Sequence, residues 1–107
     1  MNLLQGTLDL LVLKALAGGP RHGYEVARWV RDTTGTLRIE DGALYTSLHR
    51  MEKRRWLRSE WGMSPKGRRA KYYVLTAAGR RRLETEKLAW ARYVEAVAKV
   101  IEAPEAP

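Results

Sequence analysis

The sequence has no cysteine, so it can form neither disulfide bonds nor thiolate metal sites. Redox sensing through thiols is thereby excluded, and a reducing cytoplasm is the simplest compartment. The two histidines, His22 and His49, lie on different predicted helices without a paired carboxylate motif beside them. We therefore predict no metal site.

The chain also lacks an apolar run of the ~20 residues that a membrane span needs. Its most apolar stretch, residues 8–16, is interrupted by Asp9 and Lys14. No basic leader precedes this stretch and no small-residue cleavage pattern follows it, so it does not read as a signal peptide. We expect no association with a membrane.

The motifs of common enzymes are missing as well. There is no Gly-x-Ser-x-Gly elbow, no phosphate-cradling glycine loop and no carboxylate pair in an apparent cleft. We therefore predict that the protein is not an enzyme and needs no cofactor.

Acidic residues are few. The 107 residues include 12 Asp and Glu against 20 Lys and Arg, giving a net charge of +8. Nine of the cations and only two of the acids fall within residues 50–71. Clustered cations favour a polyanionic partner, because neutralising phosphates releases their condensed counterions. The alternative is a solvated basic face with no partner.

The order of predicted elements is three helices, a β-hairpin and a long last helix. Thr7 is the predicted N-cap of the first helix, which ends at the Gly-Gly-Pro breaker of residues 18–20. The second helix is predicted from residue 21 or 22 to Thr34, with Gly35 as its stop. The third begins at residue 40 or 41 and runs to Trp56.

Two predicted strands, residues 57–63 and 70–75, flank a cationic turn at residues 64–69. Thr76 then caps a helix that runs to about Ile101. This order predicts a mostly α protein with a small β-hairpin wing: a winged helix-turn-helix unit over residues 1–75, a C-terminal dimerisation helix over residues 76–103 and a tail over residues 104–107.

The third helix has two unlike faces. Leu44, Leu48 and Met51 share a narrow apolar sector. On or beside the opposite sector lie the predicted DNA-binding residues Gly42, Tyr45, Thr46, His49, Arg50 and Lys53. Arg suits bidentate guanine recognition and Thr offers a methyl or hydroxyl group, so we expect Arg50 and Thr46 to read bases.

The hairpin adds a second set of cations, namely Lys66, Arg68, Arg69 and Lys71. At a wing such cations suit phosphate or minor-groove contact better than base recognition. Together the helix and wing predict a protein that binds double-stranded DNA. The rival classes are a sequence-indifferent nucleic-acid-binding protein, such as a nucleoid or RNA-binding factor, and a winged-helix protein-interaction module.

The last helix is too long to pack entirely on its own domain. Its apolar residues form a heptad-like stripe, which predicts a homodimer. The predicted interface residues are Leu83, Trp90, Tyr93, Val94, Val97, Val100 and Ile101. The sequence allows two interpretations of Trp90: core filler in the seam, or a flat wall for a planar aromatic ligand.

The chain resembles the PadR-like family of bacterial transcriptional regulators over about residues 3–102. Four segments carry the resemblance. They are Gly-Thr-Leu-Asp-Leu-Leu-Val-Leu at residues 6–13, His-Gly-Tyr-Glu at 22–25, the third-helix residues 42–52, and Gly-Arg-Arg-Ala-Lys-Tyr-Tyr-Val-Leu-Thr at 67–76.

The resemblance implies a repressor that dimerises through its C-terminal helix, binds a two-fold operator and is often released by a small molecule. By this analogy Tyr24 reaches a phosphate, although a core aromatic is the competing interpretation. The resemblance also favours an aromatic effector pocket at Trp90, with Leu8, Asp9, Val12, Leu88 and Val94 as neighbours.

Overall fold

The computed structural model describes residues 5–106, so residues 1–4 and 107 of the predicted domain ranges lie outside it. The helices and strands confirm the predicted mostly α fold with a hairpin wing. In chain order they are α1 (Gln5–Ala17), β1 (Arg21–His22), α2 (Gly23–Thr34), α3 (Asp41–Lys53), β2 (Leu57–Met63), β3 (Arg69–Leu75) and α4 (Ala77–Glu102).

Three details differ from the prediction. Helix α3 ends at Lys53 rather than at Trp56, because Arg55 adopts the left-handed backbone conformation with a φ of 62°. Thr7 is not an N-cap, because α1 already includes Gln5. The two-residue strand β1 was not predicted, and it pairs with β3 through Arg21 opposite Tyr73 and His22 opposite Tyr72. The resulting antiparallel sheet has the order β1-β3-β2.

Both ends of α2 follow local capping rules. His22 Nδ1 accepts a hydrogen bond from the Glu25 backbone N–H at 3.3 Å, and the His22 N–H donates to Glu25 Oε1 at 3.1 Å. This reciprocal pair is a capping box that satisfies two free donors. Gly35 ends the helix with a φ of 73°, as the sequence predicts.

The core lies between α1, α2, α3, the base of the hairpin and the start of α4. Leu44, Leu48 and Met51 are buried, which confirms the predicted inward face of α3. Helix α1 is apolar on two sides because it packs against α2, α3 and β3 and also against α4. The remaining core side chains are Leu8, Val12, Leu13, Ala15, Leu16, Val26, Val30, Ile39, Leu57, Tyr73, Leu75 and Leu83.

The hairpin is joined to α4 by a tight corner. Thr76 caps α4, as predicted: its Oγ1 accepts from the Gly79 N–H at 3.0 Å and donates to the backbone oxygens of Arg55 and Trp56. A Cβ added at Gly79 would lie 2.1 Å from the Trp56 carbonyl oxygen. Only glycine therefore fits at this position without moving backbone.

We expect Gly79→Ala to destabilise the fold by about 3 kcal/mol, because overpacking against backbone cannot relax by a side-chain rotation. Gly42→Ala is the matched control, since a Cβ at Gly42 meets nothing within 4 Å and alanine favours a helix. Urea unfolding followed by circular dichroism measures both. Equal stability of the two variants would contradict the tight corner.

Helix α4 has 26 residues and is roughly 39 Å long at ~1.5 Å per residue. Only its first part packs on the winged unit, and the molecule is accordingly elongated, with extents of 62 × 28 × 21 Å. None of the helices formed by residues 5–106 is long and apolar enough to cross a membrane.

Candidate nucleic-acid interface

Helix α3 exposes one polar face. Gly42, Tyr45, Thr46, His49 and Lys53 are all exposed. The face is not blocked by other elements, since an open groove along it is lined by Tyr45, Thr46, His49, Arg50, Lys53 and Tyr73. A helix with this combination of hydroxyl, imidazole and cationic groups has the donors and acceptors that base edges and phosphates require.

The wing tip is a tight turn that presents cations. Ser64 and Arg68 close it through a backbone hydrogen bond of 2.7 Å, and Gly67 has a φ of 77°, which favours glycine. Lys66 and Arg68 are exposed on this turn. Arg69 follows on β3 and stacks over the Trp61 ring at 4.4 Å, which orients its guanidinium without neutralising it.

A cleft of about 700 Å³ separates the wing from the helices. The wing side of the cleft carries Lys66, Arg68, Arg69 and Lys71, and the helix side carries Tyr24 and Tyr45. Tyr24 is 62% exposed, so it is not a core aromatic. The structure thus brings the start of α2, the polar face of α3 and the wing cations to one surface.

Arg50 is placed differently from the other predicted base-reading residues. Its guanidinium is paired with the Asp9 carboxylate of α1, and the same carboxylate oxygen accepts a 2.6 Å hydrogen bond from the buried Ser47 hydroxyl. A guanidinium held in this way is not free for bidentate guanine recognition. Arg50 therefore fixes α3 against α1 in this structure.

Lys71 is also engaged by a carboxylate. Its Nζ lies 3.1 Å from Glu52 Oε1 on α3 and 5.4 Å from the centre of the Tyr73 ring. The second oxygen of Glu52 accepts a hydrogen bond from the Ser59 hydroxyl on β2. The hydrogen bond from Ser59 and the charge of Lys71 hold the pKa of Glu52 below its usual value, against the opposing effect of burial.

The Glu52–Lys71 pair should make stability depend on pH at both ends of the scale. A carboxyl group whose pKa is lowered by folding stabilises the fold at pH values above its ordinary pKa, which is 4.5 for Glu52. This contribution is lost as the pH falls through the lowered pKa of the folded state. The pair raises the pKa of Lys71 above 10.5, so its contribution is lost only as the pH rises through the raised value.

We therefore expect the stability difference between the wild type and Glu52→Gln to be fully present at pH 7 and to shrink as the pH falls below 4.5. Urea unfolding at a series of pH values measures this difference. A difference that is the same at pH 7 and well below 4.5 would contradict the role of the charged carboxylate.

The predicted effector residues are not brought together. Leu8 and Val12 are in the core, and Asp9 is bound to α3. Leu88 and Val94 are exposed on α4. A groove of about 270 Å³ does run beside Trp90, but its walls are Gly6, Thr7, Leu10, Glu86, Ala89 and Tyr93.

The predicted dimer stripe is exposed except at one position. Leu83 is 5% exposed and packs in the core of its own chain, so its assignment to the seam is wrong. Exposed large apolar side chains follow it along α4: Leu88, Trp90, Tyr93, Val94, Val97, Val100 and Ile101. From Trp90 to Ile101 these side chains share one side of the helix. They leave more apolar surface uncovered than a lone helix in water is expected to.

Sequence reasoning missed Glu52, Ser59 and the role of Asp9. Glu52 is separated from Ser59 by 7 residues and from Lys71 by 19, and Asp9 is separated from Arg50 by 41. No local spacing rule connects residues so far apart. The only available signal was that Glu52 is one of just two acids, with Glu60, in the basic segment of residues 50–71.

Comparison with known proteins agrees with this architecture. The profile of the transcriptional regulator PadR-like family matches residues 12–85. A PadR family transcriptional regulator from Eggerthella lenta is 32% identical and superimposes over 94% of this chain and 86% of its own, with a TM-score of 0.80. A transcriptional regulator from Clostridium thermocellum, Cth-833, is 26% identical over 92% of this chain and 96% of its own, with a TM-score of 0.84.

A curated relative, an uncharacterized 37.1 kDa protein in transposon TN4556 of Streptomyces fradiae, is 40% identical over 84 residues, or 78% of this chain. The present chain spans 23% of the length of that protein.

Proposed function

Because the chain belongs to the PadR-like family of transcriptional regulators, and is thus a DNA-binding transcription regulator, we propose that it is a homodimeric repressor of a palindromic operator. In this proposal it acts in the cytoplasm and blocks a promoter by occupying it. No covalent chemistry is involved. The observation that carries the proposal is that the wing cations line a cleft with Tyr45, and that the rest of the polar face of α3 lines an adjoining groove that shares Tyr45 with this cleft.

The residues of α3 and those of the wing are assigned to different parts of the DNA. Thr46 and His49 on α3 are exposed, have no ion pair within residues 5–106 and are assigned to base edges, while Lys53 is assigned to phosphate. Lys66, Arg68 and Arg69 are assigned to the phosphates flanking the groove. Tyr24, Gly42 and Tyr45 lie where the backbone of the same duplex would pass, Tyr24 at the start of α2.

The dimer is supported by the uncovered stripe of α4. A C2 interface needs one self-complementary patch, and Trp90, Tyr93, Val94, Val97, Val100 and Ile101 form such a patch on one helix. Two copies would place two α3 helices in successive major grooves, about 10 bp apart, which requires a palindromic site.

The groove beside Trp90 supports a second part of the proposal, release by a small planar aromatic effector. Leu10, Trp90 and Tyr93 give it apolar walls, and stacking on an indole favours planar ligands. Since α1 forms one wall and also holds α3 through Asp9, a bound ligand would reach the DNA-binding surface through α1.

Quenching of tryptophan fluorescence by planar aromatic compounds tests the effector. We expect Trp90→Leu to abolish the quenching, whereas Trp61→Leu on the wing should leave it. We also expect the compound to weaken DNA binding by about 5- to 150-fold, and DNA to weaken compound binding by the same factor. Quenching that persists in Trp90→Leu would contradict this site.

Binding to duplex DNA and to single-stranded RNA of equal length separates the proposal from an RNA-binding role. Fluorescence anisotropy at matched salt should give a clear preference for the duplex, because two wings and two α3 helices fit a groove and its flanking phosphates. Equal or tighter binding of the RNA would favour the sequence-indifferent alternative. Binding of neither would favour a protein-interaction module.

A further inference from the structure

Glu52 joins the recognition helix to both strands of the wing. It lies in the last turn of α3, where one carboxylate oxygen accepts from Ser59 on β2 and the other is 3.1 Å from Lys71 Nζ on β3. Ser59 is paired with Tyr73 in the hairpin register, and Lys71 with Trp61. Since alternate residues of a strand share a face, Ser59 and Lys71 point from the same side of the hairpin toward α3.

We propose that Glu52 is a positioning residue that sets the wing against α3 and keeps Lys71 away from DNA phosphate. This inference rests on the proposed function and goes beyond it, because it removes one cation from the DNA contacts and gives an acidic residue a role in specificity. Lys71 then keeps its ion pair with Glu52 when DNA is bound. The tip cations Lys66, Arg68 and Arg69 make the phosphate contacts of the wing.

The lever arm of the wing explains why such a link matters. The tip residue Gly67 is four residues beyond Lys71, roughly 13 Å at ~3.3 Å per strand residue. A tilt of about 15° at Lys71 would then move the tip by roughly 3 Å, the length of a whole hydrogen bond. Fixing the hairpin at Lys71 therefore decides whether the tip reaches the phosphates on either side of the groove that α3 occupies.

The charges at this link oppose a phosphate contact by Lys71. A phosphate would have to replace the Glu52 carboxylate, leaving that partly buried group without its cation. The side chains of Glu52 and Lys71 are 27% and 35% exposed, so neither is fully screened by water. Lys66 at the tip is exposed and has no recorded ion pair within residues 5–106, which makes it the matched control.

The salt dependence of binding to a random duplex tests the inference. Each phosphate contact contributes about 0.9 to the slope of log affinity against log salt. We expect Lys66→Gln to lower the slope by about 0.9 per protomer and Lys71→Gln to leave it unchanged. Glu52→Gln should raise the slope, because the released Lys71 becomes available to phosphate, and Glu52→Gln/Lys71→Gln should restore the wild-type slope.

A second measurement reports the position of the wing against α3 rather than the number of phosphate contacts. Glu52→Gln and Lys71→Gln should each lower the ratio of operator to random-duplex affinity by roughly tenfold, within the range of coupling between contacting residues. Their effects should not add, since both break one link. Amide hydrogen exchange in residues 61–69 should become faster in these two variants and not in Lys66→Gln.

The outcomes separate the inference from the function beneath it. If the wild type binds the duplex and Lys71→Gln lowers the slope as much as Lys66→Gln does, Lys71 contacts phosphate and the inference is overturned alone. If the wild type binds no duplex, the proposed function fails and the inference fails with it. An unchanged slope in Lys71→Gln together with a raised slope in Glu52→Gln supports the inference.

Discussion

Val97→Glu is expected to convert the proposed dimer into a monomer and to remove operator binding at concentrations where the wild type saturates the site. Val97 is 37% exposed in the single chain and lies within the apolar stripe of α4. In the proposed dimer it is covered by the partner, and the substitution would bring one carboxylate from each chain into the apolar seam. Burying an unpaired charge is far more costly than losing one valine contact.

Sedimentation at tens of micromolar measures the change directly. The wild type should sediment at twice the 12.3 kDa of a single chain, and the variant at the single-chain mass. Lys99→Glu is the control, because its Cα lies 200° around the helix from Val97 at 100° per residue. A wild type that is monomeric under these conditions would contradict the dimer and with it the palindromic operator.

The second large effect is expected from the wing. Replacing Lys66, Arg68 and Arg69 by glutamine removes three proposed phosphate contacts per protomer, and six per dimer. At about 0.9 per contact, the salt slope should fall by about 5, and affinity near 0.1 M salt should fall by about a thousandfold or more. Thermal stability should change little, because Lys66 and Arg68 lie exposed on a turn.

A control triple separates local contacts from net charge. Lys14, Arg31 and Lys87 are exposed cations that do not line the cleft. Their replacement by glutamine removes the same charge and should change the slope by less than about one. Equal losses in the two triples would mean that the overall charge, rather than the wing, binds the DNA.

The elements that could be predicted from the sequence are those set by local rules. Gly35 ends α2 because the left-handed conformation favours glycine, and Thr76 starts α4 because its hydroxyl satisfies a free N–H. The hairpin strands and the inward face of α3 follow in the same way from alternation and from a 3.6-residue period. These rules also predict the cationic turn and the polar face of α3, which line two adjoining grooves that share Tyr45 and Tyr73.

What could not be predicted depends on how distant segments meet. Strand β1 exists because residues 21–22 happen to lie beside β3, and two residues carry no periodicity of their own. Leu83 belongs to the apolar stripe of α4, so the pattern alone predicts it in the seam. The stripe does not reveal that the start of α4 folds onto α1 and buries Leu83 in its own chain.

The ion pairs show the same limit at the candidate site. Arg50 and Lys71 read as DNA contacts in the sequence because each is a cation in a basic segment. Asp9 and Glu52, which hold them in the structure, are 41 and 19 residues away along the chain. Charge counting finds the surface that binds a polyanion, but only the packing shows which cations remain free for it.

Selection of bound sequences from random duplex DNA tests whether the protein reads a symmetric operator. A homodimer that reads bases through two α3 helices should enrich a single motif, an inverted repeat whose half-sites are centred about 10 bp apart. Thr46→Ala or His49→Ala should alter the enriched bases at symmetric positions in both half-sites. Recovery of duplexes without any enriched motif, or of a motif lacking two-fold symmetry, would contradict a homodimeric regulator that reads an operator through α3.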